Sequence, residues 1–159
     1  MVKVLFVCLG NICRSPLAEG IFKRMISRAG LEEKIEVASA GTANYHVGEL
    51  PDPNMRRTAS AHGLELTSIG QQLAEGHFSE YDYIIPMDKS NLRNVLDAQP
   101  KGTKPEILLL RNFDNKKSGA DVFDPYGMND DGFEKCYKII EESCQNLMAY
   151  LIVEHKLKG

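Results

Sequence analysis

The sequence predicts an α/β fold in which a parallel sheet alternates with helices. Three observations support this prediction. Four short β-rich runs are each followed by a helical pattern, and parallel strands need such crossovers. The first run leads directly into a glycine-containing loop and a helix start, as in nucleotide- and anion-binding α/β proteins. Finally, 159 residues with 43% hydrophobic content suit one globular domain, so we expect residues 1–159 to form a single unit.

The strands are predicted from β-branched, aromatic and leucine residues in runs or in alternation. They cover residues 2–7, 35–40, 81–85 and 106–110. The nearly continuous apolar character of the first run is typical of a strand that is buried on both faces of a parallel sheet.

The first helix is predicted from a serine that can cap its start and a proline at its first position. Ser15 is the expected N-cap, Pro16 the first helical residue and Gly30 the stop, in keeping with the usual preferences at helix ends. Its apolar stripe consists of Leu17, Ile21, Phe22, Met25 and Ala29. A second helix is expected over residues 53–62 and a third after Asp88, ending near residues 99–100.

The last helix has the clearest periodicity, and we expect its capping box to be Asp131-x-x-Glu134. Its predicted buried stripe is Phe133, Cys136, Tyr137, Ile140, Cys144, Leu147, Met148 and Leu151. Residues 41–52 and 111–130 show no regular pattern, and the second segment is long for a loop in a compact domain. Long loops often carry function.

The loop after the first strand, residues 8–16, has the residue types of an anion-binding site. Gly10 and Asn11 tolerate left-handed backbone angles, which allow successive N–H groups to face one ligand. The helix start adds a positive dipole end, and Arg14 adds a guanidinium that can hold two phosphate oxygens. No lysine is placed as in a nucleotide-binding P-loop, so a nucleoside triphosphate is not expected.

Cys8 lies at the base of this predicted cradle, where the surrounding positive groups favour the thiolate. We therefore predict that Cys8 is a nucleophile that receives a phosphoryl group, and that Ser15 donates a hydrogen bond to its sulfur. Taken alone, Cys8 would be read as a small buried residue at a strand end. The glycine, asparagine, serine and proline in the same short loop favour the interpretation of Cys8 as a nucleophile.

Asp124 is the predicted general acid for this chemistry, since expulsion of an alkoxide or phenoxide is slow without a proton. It begins the segment D-P-Y-G inside the second long loop. The proline fixes a turn, and Tyr126 offers an aromatic wall for a substrate ring. By itself the tetrapeptide is equally typical of an ordinary solvated turn.

Composition and charge exclude several other classes. The formal charge of −3 argues against nucleic-acid binding, and no run is apolar enough for a signal peptide or a membrane span. We expect a cytoplasmic protein with reduced thiols, no membrane association and no cofactor. The histidines His46, His62, His77 and His155 lack metal-ligand spacing, and none is expected to serve as the general base.

The chain resembles the low-molecular-weight protein tyrosine phosphatase family, whose pattern V-C-x-G-N-I-C-R-S-P matches residues 7–16. The likeness continues through S-A-G-T at residues 39–42, M-D-x-S-N-L at 87–92 and D-P-Y at 124–126. It implies a four-stranded parallel sheet with helices on both faces, with Cys8 as nucleophile, Arg14 as phosphate ligand and Asp124 as general acid and base.

The resemblance also implies supporting residues and partners. Asn11, Ser15 and Ser39 resemble residues that hold the loop, and Ile12, Tyr45 and Tyr126 resemble those that line the ring pocket. Asn11 and Ser15 are also expected to contact substrate, together with the remaining loop residues Leu9, Gly10 and Cys13. Substrates would be phosphotyrosine proteins, with a bacterial tyrosine kinase as one candidate, and inorganic phosphate would be a product.

Some positions depart from the vertebrate pattern and favour the bacterial branch. Gly127 replaces a second tyrosine, Ser68 stands in place of a histidine, and Gln71 lies in a segment that replaces Ala-Arg-Gln. The sequence does not indicate what the changes at Ser68 and Gln71 do.

Four alternatives are weighed beside the tyrosine phosphatase interpretation. An arsenate reductase needs further cysteines within residues 77–91, which contain none, and Cys136 and Cys144 fit core positions. A protein arginine phosphatase carries threonine where this chain has Ile12. A phosphopeptide-binding module would not need Asp124, and a redox function would use Cys13 to trap oxidised Cys8 as a disulfide, which would regulate an enzyme rather than replace it.

Overall fold

A four-stranded sheet forms the centre of the fold. The computed structural model describes all residues 1–159. The strands are β1 (Val2–Cys8), β2 (Ile35–Gly41), β3 (Tyr83–Pro86) and β4 (Glu106–Ile107). They are all parallel in the order β2-β1-β3-β4, which confirms the predicted sheet.

β1 and β2 each extend one residue beyond their predicted ends, and the other two strands differ by more. β3 begins at Tyr83 rather than at residue 81. β4 ends at Ile107 because the chain turns inward after it. Leu109 and Leu110 are buried, and Leu110 opens a short 3₁₀ helix, Leu110–Phe113, within the segment predicted to be irregular.

The helices are α1 (Arg14–Arg28), α2 (Pro53–Ala61), α3 (His77–Glu80), α4 (Lys89–Ala98) and α5 (Asp130–Glu154). Four of them were predicted. The short helix α3 was missed because a single turn cannot show helical periodicity. No helix is both long and apolar enough to cross a bilayer.

The start of α1 corrects the predicted N-cap. The helix begins at Arg14 with Cys13 as its N-cap, so Ser15 lies inside the first turn. Its hydroxyl is instead turned toward the β1–α1 loop, where it bonds to neighbouring side chains. The helix ends at Arg28, before Gly30 at φ 68°, a left-handed position that favours glycine.

The apolar stripes are largely as predicted. On α1, Ile26 is buried and the predicted Ala29 is exposed. All eight predicted stripe residues of α5 are buried: Phe133, Cys136, Tyr137, Ile140, Cys144, Leu147, Met148 and Leu151. The cap of α5 is Asn129, which accepts a hydrogen bond of 3.1 Å from the Gly132 N–H, rather than Asp131.

Two cores lie on opposite faces of the sheet, because successive strand residues point to opposite sides. Val4, Phe6 and Cys8 of β1 face the larger core, which α1, α2 and α5 complete. Leu5 and Val7 face a smaller core that includes residues of α3 and α4. The predicted arrangement with helices on both faces is therefore confirmed.

The carboxyl ends of the central strands meet at one edge, where the chain leaves β1 toward α1. In the register, Cys8 pairs with Gly41 and Val7 pairs with Pro86. The long loop 114–129 is tied to the same edge by a 2.8 Å hydrogen bond from the Val122 N–H to the Met87 carbonyl. Segments that are distant in sequence thus surround the β1–α1 loop.

Candidate active site

The β1–α1 loop leaves a set of backbone N–H groups without backbone partners. The carbonyls of Cys8, Leu9 and Ile12 accept hydrogen bonds of 2.9, 3.0 and 2.8 Å from N–H groups in the segment 42–52. In contrast, no N–H group of residues 9–15 donates to a backbone carbonyl. The loop carbonyls are therefore hydrogen-bonded to the neighbouring segment, while the loop N–H groups remain available to bind another acceptor.

Asn11 holds the loop in a left-handed conformation. Its φ is 57°, which costs most residues about 1–2 kcal/mol and costs asparagine less. The amide Nδ2 donates to Ser15 Oγ at 2.8 Å and to Ser39 Oγ at 3.0 Å, while Oδ1 accepts from the Gln71 N–H at 3.0 Å. The predicted supporting residues Asn11, Ser15 and Ser39 thus lie together, and Gln71 joins them.

Gly10 does not have the left-handed angle that the sequence suggested, since it is absent from the positive-φ positions. Its role is close packing. A Cβ at Gly10 would lie 3.1 Å from the ring of His46, and one at Gly41 would lie 2.8 Å from the Leu9 carbonyl oxygen. Small residues therefore let the loop and the segment after β2 approach each other closely.

Cys8 is buried at the base of this loop, with 3% of its surface exposed. Its Sγ lies 3.0 Å from Ser15 Oγ. Because Ser15 Oγ already accepts a hydrogen from Asn11, its own hydrogen is available for the sulfur. This contact is the one expected from the sequence.

Arg14 is almost fully buried beside Cys8 and is held by acceptors from two other segments. Its Nη1 donates to Asp88 Oδ2 at 2.7 Å and to the Val122 carbonyl at 2.8 Å. Its Nη2 lies 3.7 Å from Asp124 Oδ2. Burial alone would lower the pKa of the guanidinium, but the neighbouring Cys8, Asp88 and Asp124 outweigh it and raise the pKa. Arg14 is a fixed cation.

Asp88 was not predicted as a site residue. The sequence placed it only at the start of the third helix and within a family motif. The signal that could have found it is topological, because Asp88 follows β3, the neighbour of β1, and ligands bind at the carboxyl ends of such strands.

Asp124 faces the same space from the long loop, with about half of its side chain exposed. Its Oδ1 accepts a 3.1 Å hydrogen bond from the Tyr126 N–H, which forms the turn expected from the D-P-Y-G segment. The carboxylate is therefore oriented by its own turn and by Arg14.

A cavity of about 170 Å³ lies over the loop. Cys8, Arg14 and Asp124 line it together with Leu9, Gly10, Ile12, Cys13, Tyr45 and Tyr126. The rings of Tyr45 and Tyr126 are 69% and 61% exposed, so they stand at the mouth of the cavity as walls for a flat group. The remaining predicted residues, Asn11, Ser15 and Ser39, support the loop through the hydrogen bonds described above.

His46 also lines the cavity, although no histidine was predicted to have a role in the site. Its Nδ1 lies 3.1 Å from Glu49 Oε2, and its ring packs against Gly10. The only available signal was its position next to Tyr45, because neighbouring loop residues can reach the same opening.

The other three cysteines differ from Cys8 in their surroundings. Burial raises the pKa of Cys136 to about 12, although Arg14 opposes the rise. Burial, with Asp52 as the next cause, also raises the pKa of Cys13, and burial raises that of Cys144. All four cysteines are free, and the predicted core positions of Cys136 and Cys144 are confirmed.

The arrangement combines a thiol, a fixed cation, unpaired N–H donors and a carboxylic acid around one cavity. Such a set can bind a tetrahedral anion, attack its central atom and protonate a leaving oxygen. No group of three or more His, Cys, Asp and Glu side chains is placed to hold a metal ion.

Comparisons with known proteins agree with this geometry. The model of the family described as low molecular weight phosphotyrosine protein phosphatase matches residues 3–157. A phosphatase of that name from Schizosaccharomyces pombe is 38% identical over 92% of this chain and 95% of its own length. A protein tyrosine phosphatase from Entamoeba histolytica, crystallised with Hepes in its active site, superposes with a TM-score of 0.91 at 38% identity, covering 99% and 100% of the two chains. The Drosophila arginine phosphatase superposes at 0.88 and 33% identity, covering 94% and 97%.

Proposed function

This chain belongs to the low molecular weight phosphotyrosine protein phosphatase family, and on that premise we propose that it hydrolyses phosphotyrosine monoesters through a phosphocysteine intermediate on Cys8. The observation that supports the proposal most directly is the loop whose carbonyls are bonded outward while the N–H groups of residues 9–15 lack backbone partners. A bound phosphoryl group would supply the missing acceptors directly above the sulfur.

In the first step, the Cys8 thiolate attacks phosphorus and the bond to the phenolic oxygen breaks. Asp124 donates its proton to that oxygen, so the product leaves as a neutral phenol. Arg14 and the loop N–H groups hold the other three phosphoryl oxygens, whose charge changes little in a loose transition state.

In the second step, water attacks the phosphocysteine and releases inorganic phosphate. Asp124, now a carboxylate, takes the proton from water, and Cys8 leaves as a thiolate. Ser15 Oγ, 3.0 Å from the sulfur, donates a hydrogen bond that stabilises this leaving group. Every proton is accounted for by protein groups and water, so the proposed reaction uses no metal or cofactor.

The substrate proposal is an aromatic phosphomonoester on a protein. Tyr45 and Tyr126 stand at the mouth of the cavity, and Ile12 lines it, which gives a slot for a flat ring. Because Ile12 offers no hydrogen bond, it would leave the polar guanidinium of phosphoarginine without a partner. We therefore favour phosphotyrosine proteins in the cytoplasm, with a bacterial tyrosine kinase as one candidate partner.

Hydrolysis of p-nitrophenyl phosphate in EDTA tests the chemistry, with Cys8→Ser and Asp124→Ala as variants. We expect EDTA-resistant turnover that Cys8→Ser abolishes and Asp124→Ala reduces by roughly 10²-fold or more. A binding module would show no turnover in any variant and would retain phosphopeptide affinity in Asp124→Ala.

Phosphotyrosine and phosphoarginine versions of one peptide test the substrate. We expect the phosphotyrosine peptide to be preferred. A preference for phosphoarginine would keep the cysteine mechanism and overturn the substrate, and Ile12→Thr is the matched variant that should move selectivity in that direction.

A further inference from the structure

Glu19 is a buried carboxylate that the proposed chemistry does not use. It lies on α1 with 6% of its surface exposed, and Asp114 is the only other buried carboxylate. Burial of a charge costs several kcal/mol unless hydrogen bonds compensate it. Asp114 has Arg111 and two backbone N–H groups as partners. Glu19 instead has the exposed Lys23 and one buried hydroxyl, that of Ser39.

That hydroxyl connects Glu19 to the nucleophile through a continuous line of side chains. Ser39 Oγ donates to Glu19 Oε1 at 2.5 Å, and Asn11 Nδ2 donates to Ser39 Oγ at 3.0 Å. Asn11 Nδ2 also donates to Ser15 Oγ at 2.8 Å, and Ser15 Oγ lies 3.0 Å from Cys8 Sγ. Glu19, Ser39, Asn11 and Ser15 are all buried, so water does not compete for these bonds.

Counting hydrogens determines the direction of each bond. A carboxylate only accepts, so the single hydrogen of Ser39 goes to Glu19 and the Ser39 oxygen is left to accept from Asn11. The Asn11 amide has two hydrogens, and the second goes to Ser15. The Ser15 hydrogen is then left for the Cys8 sulfur, since its other acceptor, the Ala40 carbonyl, is 3.5 Å away.

We propose that Glu19 is a positioning residue for the reaction at Cys8, acting through Ser39 and Asn11 on the hydrogen that Ser15 gives to the sulfur. The proposal rests on the proposed function. Glu19 touches neither the substrate nor the sulfur. Its charge fixes the direction of the Ser39 hydroxyl, which leaves the Ser39 oxygen free to accept from the Asn11 amide.

The step that should suffer without Glu19 is the departure of the Cys8 thiolate from phosphocysteine. A hydrogen bond from Ser15 stabilises the charge that develops on sulfur in that step. Phosphate binding depends on Arg14 and on the loop N–H groups, so it should change little. The expected signature is therefore a lower kcat with a proportionally lower KM, because kcat/KM reports only the steps up to the formation of phosphocysteine and should not change.

Glu19→Gln tests this inference with the smallest change of shape. Lys23 Nζ lies 2.7 Å from Glu19 Oε2. In the variant, the Lys23 ammonium should therefore attract the glutamine oxygen, so that the glutamine NH₂ faces Ser39. The Ser39 oxygen then receives two donors, and its own hydrogen loses its acceptor. We expect kcat for p-nitrophenyl phosphate to fall about tenfold, as for loss of one charge-assisted hydrogen bond, with kcat/KM and phosphate inhibition within about twofold of wild type.

The control is Glu106→Gln, which makes the same change of charge on β4, the edge strand. It should leave kcat unchanged. A double-mutant cycle separates positioning from folding, because Glu19→Gln added to Ser39→Ala should cause no further loss of kcat. Rates are measured well below the melting temperature of each variant and are divided by the concentration of reactive Cys8, so that a loss of folded enzyme is not counted as a loss of kcat.

Wild-type kcat in Glu19→Gln, or losses that add independently in the cycle, would overturn the role of Glu19. If Glu19→Gln does not fold, Ser39→Ala carries the test alone, and an unchanged kcat in that variant contradicts the line of hydrogen bonds. Failure of the proposed function is a different result, in which wild type and Cys8→Ser both lack turnover.

Discussion

Asp88 both holds Arg14 and caps α4, and the variant Asp88→Asn allows the first effect to be measured without the second. The two carboxylate oxygens of Asp88 have different partners. Oδ1 accepts from the Asn91 N–H at 2.7 Å and caps α4, while Oδ2 accepts from Arg14 Nη1 at 2.7 Å. Asparagine is as good an N-cap as aspartate, so the substitution keeps the cap, while the amide NH₂ that replaces Oδ2 removes both the charge and the acceptor beside Arg14.

The size of the effect follows from the geometry of this pair. At 2.7 Å the gross attraction is about 6 kcal/mol with an effective dielectric constant of about 20, and desolvation offsets most of it. A hydrogen bond to a charged group contributes about 1.5–3 kcal/mol net. Arg14 keeps its bond to the Val122 carbonyl. We therefore expect a loss of about 1.5–3 kcal/mol, or roughly 10–150-fold in kcat/KM.

The assay is steady-state hydrolysis of p-nitrophenyl phosphate, with inhibition by inorganic phosphate and the melting temperature measured on the same samples. Phosphate inhibition should weaken together with kcat/KM, while the melting temperature stays close to that of wild type. Asp121→Asn is the matched control, because Asp121 pairs with Lys89 at 3.5 Å and is about half exposed. Equal losses in both variants, or unchanged phosphate inhibition in Asp88→Asn, would refute the reasoning.

Two further predictions concern the thiols and the packing around the loop. Because burial raises the pKa of Cys13, it carries no thiolate at neutral pH, so iodoacetate should label Cys8 alone; rapid labelling in Cys8→Ser, seen by mass spectrometry, would contradict this. In Gly70→Ala, the new Cβ would lie 2.3 Å from the His46 carbonyl oxygen, so we expect a loss of about 1–3 kcal/mol of stability by denaturant unfolding. Gly76→Ala, where nothing lies within 4 Å, is the control, and equal losses would refute the steric explanation.

The fold was predictable where one pattern dominated a long segment. The eight-residue stripe of α5 and the continuous apolar run of β1 each have a single interpretation, since both are buried along their length. The errors in the prediction were concentrated at the ends of the helices and strands. Asn129 rather than Asp131 caps α5 because both residue types can cap a helix, and only the tertiary approach of the chain decides between neighbours.

Ser15 shows why the helix-capping rules gave the wrong start for α1. Serine before proline is a strong capping signal, yet the hydroxyl contacts Cys8 and Asn11 instead. Capping preferences describe a helix in isolation. Here the partners of the hydroxyl come from the end of β1 and the loop that follows it, and the helix begins at Arg14, two residues earlier than predicted.

The site residues that the sequence revealed lie in continuous motifs, and those it missed come from other segments. Cys8 and Arg14 stand in one loop and could be interpreted together. Asp88, His46 and Glu19 reach the site from the end of β3, from the segment after β2 and from one turn further along α1. A single sequence carries no signal for such contacts until the strand order places those segments side by side.

The same geometry explains how a chain with a net charge of −3 can present a site for a dianion. Arg14 has the Asp88 carboxylate at 2.7 Å, so much of its positive charge is already balanced. The remaining attraction must come from the backbone N–H groups of residues 9–15, which lack backbone partners, and from the start of α1, which has no acidic residue in its first turn. Such dipoles act only at short range. Under the proposed function, selectivity for phosphate would therefore rest on the loop conformation that Asn11 holds and not on the overall charge of the chain.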